Sequence, residues 1–385
     1  SFNPERFAAN ACEPQVKMIE IKLSQGAKPG LGGLLPGAKV TPEIARIRGI
    51  EEGQDCASPS RHTEFDSADS LLDWVEMLAD ETGVPVGIKS AVGNLDFWCE
   101  LVDLMSMTDR GVDFITVDGG EGGTGAAPLI FSESVALPFR LGFARVYELF
   151  ARAGIADRVV FIGSGKLGLP DNAVVAFALG CDMVNVAREV MMSIGCLQAQ
   201  KCHTDKCPTG IATQDKWLAH GLDPTIKADR AENYIRTLRR DLLKVSEACG
   251  VPHPGLISTG DLDILKGHES ARSLREVYGY EAKWGLPNEF DAAEIGQAEV
   301  EDHQVGRPVA QAVEEGLRGA EDFVPVAEFL EGVADDPGDR HLVFDDVDEF
   351  GEAGGRHGAG VGFGRVRGCG HVSAAQGAEG GQQLV

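Results

Sequence analysis

Phe114-Ile115-Thr116-Val117-Asp118-Gly119-Gly120-Glu121-Gly122-Gly123-Thr124-Gly125 is the stretch on which the fold turns. An aromatic and three β-branched residues suit a buried strand, and the run stops at an aspartate and a glycine loop. The same grammar repeats on both sides. Apolar runs at Val16–Leu23, Val84–Ser90, Val159–Gly163 and Met183–Ala187 also end in polar or Gly-rich sequence, such as Ser24-Gln25-Gly26-Ala27-Lys28, Lys89-Ser90 and Gly163-Ser164-Gly165. Helical periodicity fills the intervals at Ser70–Thr82, Leu95–Thr108, Pro138–Ala153 and Asn172–Leu179. Strand–helix alternation with continuous apolar strands predicts an α/β protein with a parallel sheet covered by helices. Chemistry loaded onto the C-terminal ends of strands is the habit of a (β/α)8 TIM-type barrel, with a doubly wound sheet as the second choice. Five strands are visible where a closed barrel needs eight, so an incomplete barrel is expected, its first strands lying before Ser1.

This organisation divides the chain. Residues 1–258 form the partial barrel, including a cysteine loop at 191–214 after the last strand. Ile235, Leu238, Leu242 and Val245 recur at helical spacing and predict a helix over Lys227–Ala248, packed on the barrel exterior or on that loop. Residues 259–286 are a C-terminal extension. Residues 287–385, with acidic runs and a Gly/Ala/Gln ending, form a flexible low-complexity tail. The chain opens on Ser1 rather than Met, which suggests a fragment or a processed product.

The 385 residues carry a formal charge of −25, which argues against nucleic-acid binding and against docking on anionic membranes. No apolar run is long enough to span a bilayer and no signal peptide opens the chain. The nine cysteines are too few and too scattered for a secreted disulfide scaffold, so a reducing cytoplasm is the default location. Cys12, Cys56, Cys99, Cys181 and Cys249 read as ordinary thiols. Cys196, Cys202 and Cys207 are different, because all three fall in one short loop that ends Cys207-Pro208-Thr209-Gly210. Such spacing suits a three-iron cluster with a vacant corner or a four-iron cluster with a remote ligand. Zinc usually prefers shorter spacers, and three free thiols remain the plain alternative. His203 is more a neighbour of these ligands than a ligand.

Other candidates sit at the strand ends. In Gln25–Gly37 the glycines let backbone approach a flat or anionic ligand, and Lys28 can bind a carboxylate; a solvated lysine on a plain turn is the alternative. Lys89 ends a buried strand and needs an anionic or electron-rich partner, whether a ligand or a salt bridge. The Gly122, Gly123 and Thr124 loop matches neither a Walker nor a GxGxxG pattern, and its tightness suggests packing on a planar ring, with Glu121 as a further polar candidate. Gly163, Ser164, Gly165 and Lys166 present backbone amides suited to a phosphate, and Arg188 after the last strand completes that pocket. Arg48 and His62, each taken alone, read as structural or solvated.

Taken together and in this order, the Gln25–Pro36 loop, the Ser58–His62 stretch, Lys89, the Gly122–Leu129 loop and the three spaced cysteines resemble the FMN-binding domain of the glutamate synthase large subunit. They resemble stand-alone members of the FMN-binding glutamate synthase family most. The resemblance covers Pro14 to Gln214 and, more weakly, reaches Ser258. It implies a (β/α)8 barrel, FMN, and a [3Fe–4S] cluster on Cys196, Cys202 and Cys207. It implies an oxidoreductase acting on CH–NH2 donors, in which 2-oxoglutarate and ammonia form 2-iminoglutarate and a hydride from FMN reduces it to L-glutamate. Electrons would come through the cluster from ferredoxin or a flavoprotein partner, and ammonia from a glutaminase, which would be a separate partner here. By motif position Gln25, Lys28 and Arg48 are substrate-side, Lys89 faces the flavin, and Gly163–Lys166 takes the FMN phosphate. The chain departs from the family pattern at Leu31-Gly32-Gly33-Leu34 (Glu-Gly-Gly-Gln in the family), at Gly120-Glu121 (His-Asp) and at Ser164-Gly165-Lys166 (Gly-Gly). Losing a polar group at Leu34 can shift the preferred keto acid. The alternatives are another FMN-dependent barrel oxidoreductase of the 2-hydroxyacid oxidase kind, which has no use for the cysteine loop, and an inactive partner-binding fragment.

Overall fold

A computed structural model describes residues 2–122, 127–128, 130–266, 270–297 and 342–343. Gly123 and Thr124 lie outside the described residues.

Five strands, β1 (Ile19–Lys22), β2 (Val86–Ala91), β3 (Phe114–Asp118), β4 (Val160–Ser164) and β5 (Met183–Asn185), pair in parallel and in chain order. Leu342–Val343 pairs in parallel with β5. Among the described residues the sheet stays open, with β1 at one edge. Successive strands are linked by α1 (Ala68–Thr82), α2 (Asp96–Met107), α3 (Phe139–Arg152) and α4 (Pro170–Ala178). α1 shows how local sequence sets these boundaries. Ser67 and Ser70 satisfy each other's backbone N–H groups at its start, and Gly83 ends it in the left-handed conformation at φ 72°.

The register separates the two faces of the sheet. Ile21, Ile88, Ile115 and Phe161 lie side by side and are buried in the main core. Leu71, Leu72 and Val75 of α1, Trp98 and Leu101 of α2, and Phe143 and Phe150 of α3 belong to the same core. Each such side chain contributes about 1.5–3 kcal/mol when fully buried. Because strand side chains alternate, the next row faces the opposite way: Lys22, Lys89, Thr116, Ile162 and Met183. One step further toward the strand ends come Ala91, Asp118, Ser164 and Asn185. The strands are therefore not apolar on both faces, as their composition suggests. The second face carries buried polar groups, which are tolerated because they pair: the Thr116 hydroxyl donates to Glu20 Oε2 at 2.6 Å.

Beyond β5, the short helix α5 (Arg188–Ser193) leads into the cysteine loop, and α6 (Pro224–Ala248) follows. α6 begins one turn before the periodicity suggests, where Asp223 accepts the Thr225 amide and Pro224 fits the first turn. It buries Ile235, Leu238 and Leu242 and packs on α4 and α5. Its Tyr234 hydroxyl donates to the Gly168 carbonyl at 2.6 Å. Part of the stretch that follows packs on α3 and α4. Leu274 and Tyr280 are in the main core, the Tyr280 hydroxyl donates to Leu179 O at 3.0 Å, and the Gly285 amide donates to the Tyr147 hydroxyl at 3.0 Å. Burial pushes the Tyr147 phenol up to about 12. A helix, Glu289–Gln297, falls inside the stretch read as tail.

Candidate functional site

The C-terminal ends of the strands carry loops that interlock. Ser24, just after β1, has its hydroxyl 3.1 Å from the Ser90 hydroxyl and accepts the Ala91 amide at 2.9 Å. Two residues on, the Gly26 amide donates to Asp118 Oδ2 at 2.7 Å, and the other Asp118 oxygen accepts the Ser164 hydroxyl at 2.8 Å. A Cβ at Gly26 would lie 1.8 Å from the Gly119 carbonyl oxygen.

On this loop Gln25 and Lys28 are each 8% exposed. Gln25 Oε1 accepts no hydrogen bond, and among the described residues no acceptor or carboxylate meets the Lys28 ammonium. A buried amide oxygen and a nearly buried cation are both costly when unmatched. A bound anion would pair with the Lys28 ammonium, and an N–H or O–H donor beside it would satisfy Gln25 Oε1. The remaining glycines of the loop serve a different purpose from the one their composition suggests. Cβ atoms at Gly32 and Gly37 would lie 1.9 Å from Ser58 O and 2.3 Å from Gly53 O, so these glycines admit the chain's own backbone. They allow Leu34–Leu35 to pair antiparallel with Cys56–Ala57, which buries Leu35 with Val40 and Ala45. Leu31 and Leu34 are left 42% and 54% exposed. Arg48 is exposed in the last turn of the helix Pro42–Arg48, and no described contact joins it to Gln25 or Lys28. His62 clamps the Ser58–Phe65 segment onto β1, with Nε2 2.9 Å from Lys22 O and its ring stacked on Phe65.

Lys89 is 3% exposed and sits between Lys22 and Thr116 on the polar face. Nearby at the strand end, Asn185 Oδ1 is buried with no hydrogen-bond partner. The loops after β3, β4 and β5 meet in a charged cluster. Gly122 has φ 93°, and a Cβ there would lie 3.1 Å from an Arg188 guanidinium nitrogen. Gly165 and Lys166 both have positive φ, at 141° and 55°, and the Lys166 ammonium pairs with the Glu133 carboxylate. The Lys166 hydrogen bond and charge, aided by Arg188, hold the Glu133 carboxyl below its ordinary range. Glu121 is a helix cap: its two oxygens accept the Phe139 amide at 2.9 and 2.7 Å, at the positive end of α3. Gly163 packs against Cys181 and Phe139, and Ser164 is held by Asp118.

The cysteine loop is fastened to the glycine loop. Lys39 is fully buried and donates to the Cys202 carbonyl at 2.7 Å. Cys196 Sγ accepts the Gln198 amide at 3.4 Å. At Cys207, burial pushes the thiol up, but the Thr209 hydroxyl and the backbone of Thr209, Ile211 and Ala212 outweigh it and leave the thiol below its ordinary value. That is the environment of a thiolate ligand. By contrast, burial pushes the Cys181 thiol well up, so it is inert. Among the described residues no three His, Cys, Asp or Glu side chains converge as a metal ion requires. The chemistry of these donors suits a cluster better than a single ion.

Asp118 and Lys39 tie the loops of this candidate site together, and sequence reasoning passes over both. A carboxylate closing an apolar strand signals Asp118; Lys39, after Pro36-Gly37-Ala38, carries no signal of its own.

Fold and site together define an α/β protein with a candidate ligand site at the C-terminal ends of a parallel sheet. A family model, the conserved region in glutamate synthase, matches residues 9–252, and the chain belongs to that family. It is 41% identical over 253 residues to the glutamate synthase large subunit-like protein YerD of Bacillus subtilis, covering 66% of this chain and 48% of that protein. It is 35% identical over 267 residues to the archaeal glutamate synthase [NADPH] of Methanocaldococcus jannaschii, covering 69% and 51%. It is 34% identical over 205 residues to the ferredoxin-dependent glutamate synthase of Cyanidium caldarium, covering 52% and 13%. The chain thus spans about half the length of the first two relatives. Among the described residues no helix is long and apolar enough to cross a membrane.

Proposed function

We propose that this chain carries the FMN-binding, keto-acid-aminating centre of a glutamate-synthase-type oxidoreductase, which joins a 2-oxo acid, 2-oxoglutarate in the first instance, to ammonia and yields the amino acid. The observation that carries this reading is the unmatched pair at the sheet mouth, the Lys28 ammonium and Gln25 Oε1. Lys28 binds the 2-oxo acid carboxylate and orients it, while Gln25 Oε1 accepts a hydrogen bond from ammonia or from the N–H of the imine it forms with the 2-oxo acid. Arg48 would have to move from its exposed helix end to take part.

The polar face suits FMN. Lys89 supplies positive charge at the strand end, Asn185 Oδ1 an unused acceptor, and Gly122 a cradle a Cβ would fill. Gly165, Lys166 and Arg188 would hold the phosphate, with Glu133 yielding its place; Gly163 and Ser164 shape that turn, and Gly123 and Thr124 belong to the same proposed binding loop. FMN, when bound, supplies hydride chemistry. A [3Fe–4S] cluster on Cys196, Cys202 and Cys207 is supported by the spacing and by the hydrogen bonds at two of the sulfurs. The relatives' names support NADPH or ferredoxin as electron source; a flavoprotein subunit as carrier, a glutaminase partner as ammonia source and the cytoplasm as the place of action complete the proposal. We also assign the described strands to part of a TIM-type barrel.

The test is anaerobic purification of the full chain, with absorption and low-temperature EPR spectra and a 2-oxo acid titration. Flavin bands, an oxidised three-iron signal and saturable 2-oxo acid binding are expected. A chain that takes up neither flavin nor 2-oxo acid refutes the assignment.

A further inference from the structure

We propose that Asp118 is the positioning residue of the 2-oxo acid site, setting the Gln25–Lys28 loop by holding the Gly26 amide. The proposal rests on the reading of Lys28 and Gln25 as substrate groups. Asp118 is the last residue of β3 and is 7% exposed. β2 lies between β1 and β3 in the sheet, so no ladder bond can join the loop after β1 to β3. The Asp118 carboxylate makes that connection across β2. Its Oδ2 accepts the Gly26 amide at 2.7 Å, and its Oδ1 accepts the Ser164 hydroxyl of β4 at 2.8 Å. One side chain therefore spans four adjacent strands, from the β1 loop to the end of β4.

The tether grips the loop between its two ligand groups. Gln25 precedes Gly26 directly and Lys28 follows two residues later, with its amide folded back onto Gln25 O at 3.2 Å. Contact with Gly119 stops the loop from settling closer, so the hydrogen bond sets its height and the backbone contact sets its floor. A shift of the Gly26 amide carries both ligand groups with it. The FMN-side groups, Lys89, Arg188 and the Gly165–Lys166 turn, stand on other strands and loops. Asp118 should therefore affect 2-oxo acid and FMN unequally.

Substitution of Asp118 tests this. An asparagine could turn its Oδ1 to the Gly26 amide and its NH2 to the Ser164 oxygen and keep the tether. Asp118→Asn is therefore the conservative control, expected to retain 2-oxoglutarate binding. The deciding variant is Asp118→Leu, which is similar in size and accepts from neither group. In the full-length leucine variant, 2-oxoglutarate affinity should fall about tenfold or more, the usual consequence of losing a hydrogen bond to a charged group. FMN affinity, read by flavin fluorescence, should stay within about twofold, and hydrogen exchange over residues 24–30 should quicken. Asp118→Ala, which leaves room for a water at the amide, carries the same test should the leucine variant fail to fold. Unchanged 2-oxoglutarate affinity in the leucine variant overturns the proposal, as does parallel loss of FMN and 2-oxoglutarate, which is what a merely structural carboxylate would give. A wild-type chain that binds FMN but no 2-oxo acid refutes the substrate reading instead. Exchange over residues 24–30 then decides alone whether Asp118 holds the loop.

Discussion

Gly26→Ala is the sharpest probe of how the glycine loop is built. The added methyl would lie 1.8 Å from Gly119 O, 2.5 Å from Gly119 C and 2.8 Å from Asp118 O. All three are backbone atoms, so no rotamer change relieves the clash. Restoring an ordinary contact means lifting the loop by about 1.6 Å. That stretches the 2.7 Å bond from Gly26 to Asp118 beyond hydrogen-bond range. Overpacking contributes about 1–3 kcal/mol and the lost charged hydrogen bond about 1.5–3 kcal/mol. A loss of about 3–5 kcal/mol is expected if the loop stays docked, read by urea denaturation followed by circular dichroism. Gly30→Ala is the matched control. Gly30 has φ 73° and a methyl added there would meet nothing within 4 Å, so only the left-handed backbone matters, at about 1–2 kcal/mol. Two glycines four residues apart should thus differ for separate reasons, one steric and one conformational. If Gly26→Ala proves as mild as Gly30→Ala, the close approach of the two loops is wrong.

Glu121→Gln removes the charge from the start of α3 while keeping an acceptor for the Phe139 amide, and should destabilise by about 0.5–1 kcal/mol; equal urea midpoints would show that the helix does not feel the carboxylate. Lys28→Ala should weaken 2-oxo acid binding far more than FMN binding in parallel titrations, and equal loss of both would place the lysine with the flavin or the fold. Cys202→Ser should abolish the iron signal in EPR and metal analysis while leaving FMN bound; unchanged iron content would rule out Cys202 as a ligand.

Much of the architecture is legible in the chain. The strand at Phe114–Asp118 carries its own boundaries, because β-branched residues stop at a carboxylate and a glycine. α1 and α6 declare themselves by apolar spacing, although their starts, set by the caps Ser67 and Asp223, lie ahead of that periodicity. The two-faced character of the sheet is harder to read. Composition registers Val, Ile and Phe but not which side Lys89 or Thr116 takes, and that depends on register between strands distant in sequence. The glycine loops mislead for a related reason. A glycine that admits a ligand and one that admits a neighbouring carbonyl, as Gly32 does at Ser58, look the same in a linear chain. Glu121 reads as a polar candidate for the site and proves to be a cap, because its partner lies eighteen residues away across a loop. Lys28 and Gln25 are visible as residue types; their unmatched burial is not.

The docking of residues 280–286 on α3 bears on where a self-sufficient piece of this chain can end. The family match stops at residue 252, yet Tyr280 stacks on Tyr147, Trp284 receives the Arg152 guanidinium at 5.3 Å, and Gly285 leaves no room for a side chain beside Ala178 O. Trimming at the match boundary would bare the aromatic flank of α3 to water and strip the Tyr147 hydroxyl of its amide donor. The homology limit and the cooperative unit of unfolding are therefore different lengths, and the shortest piece worth expressing runs through Leu286.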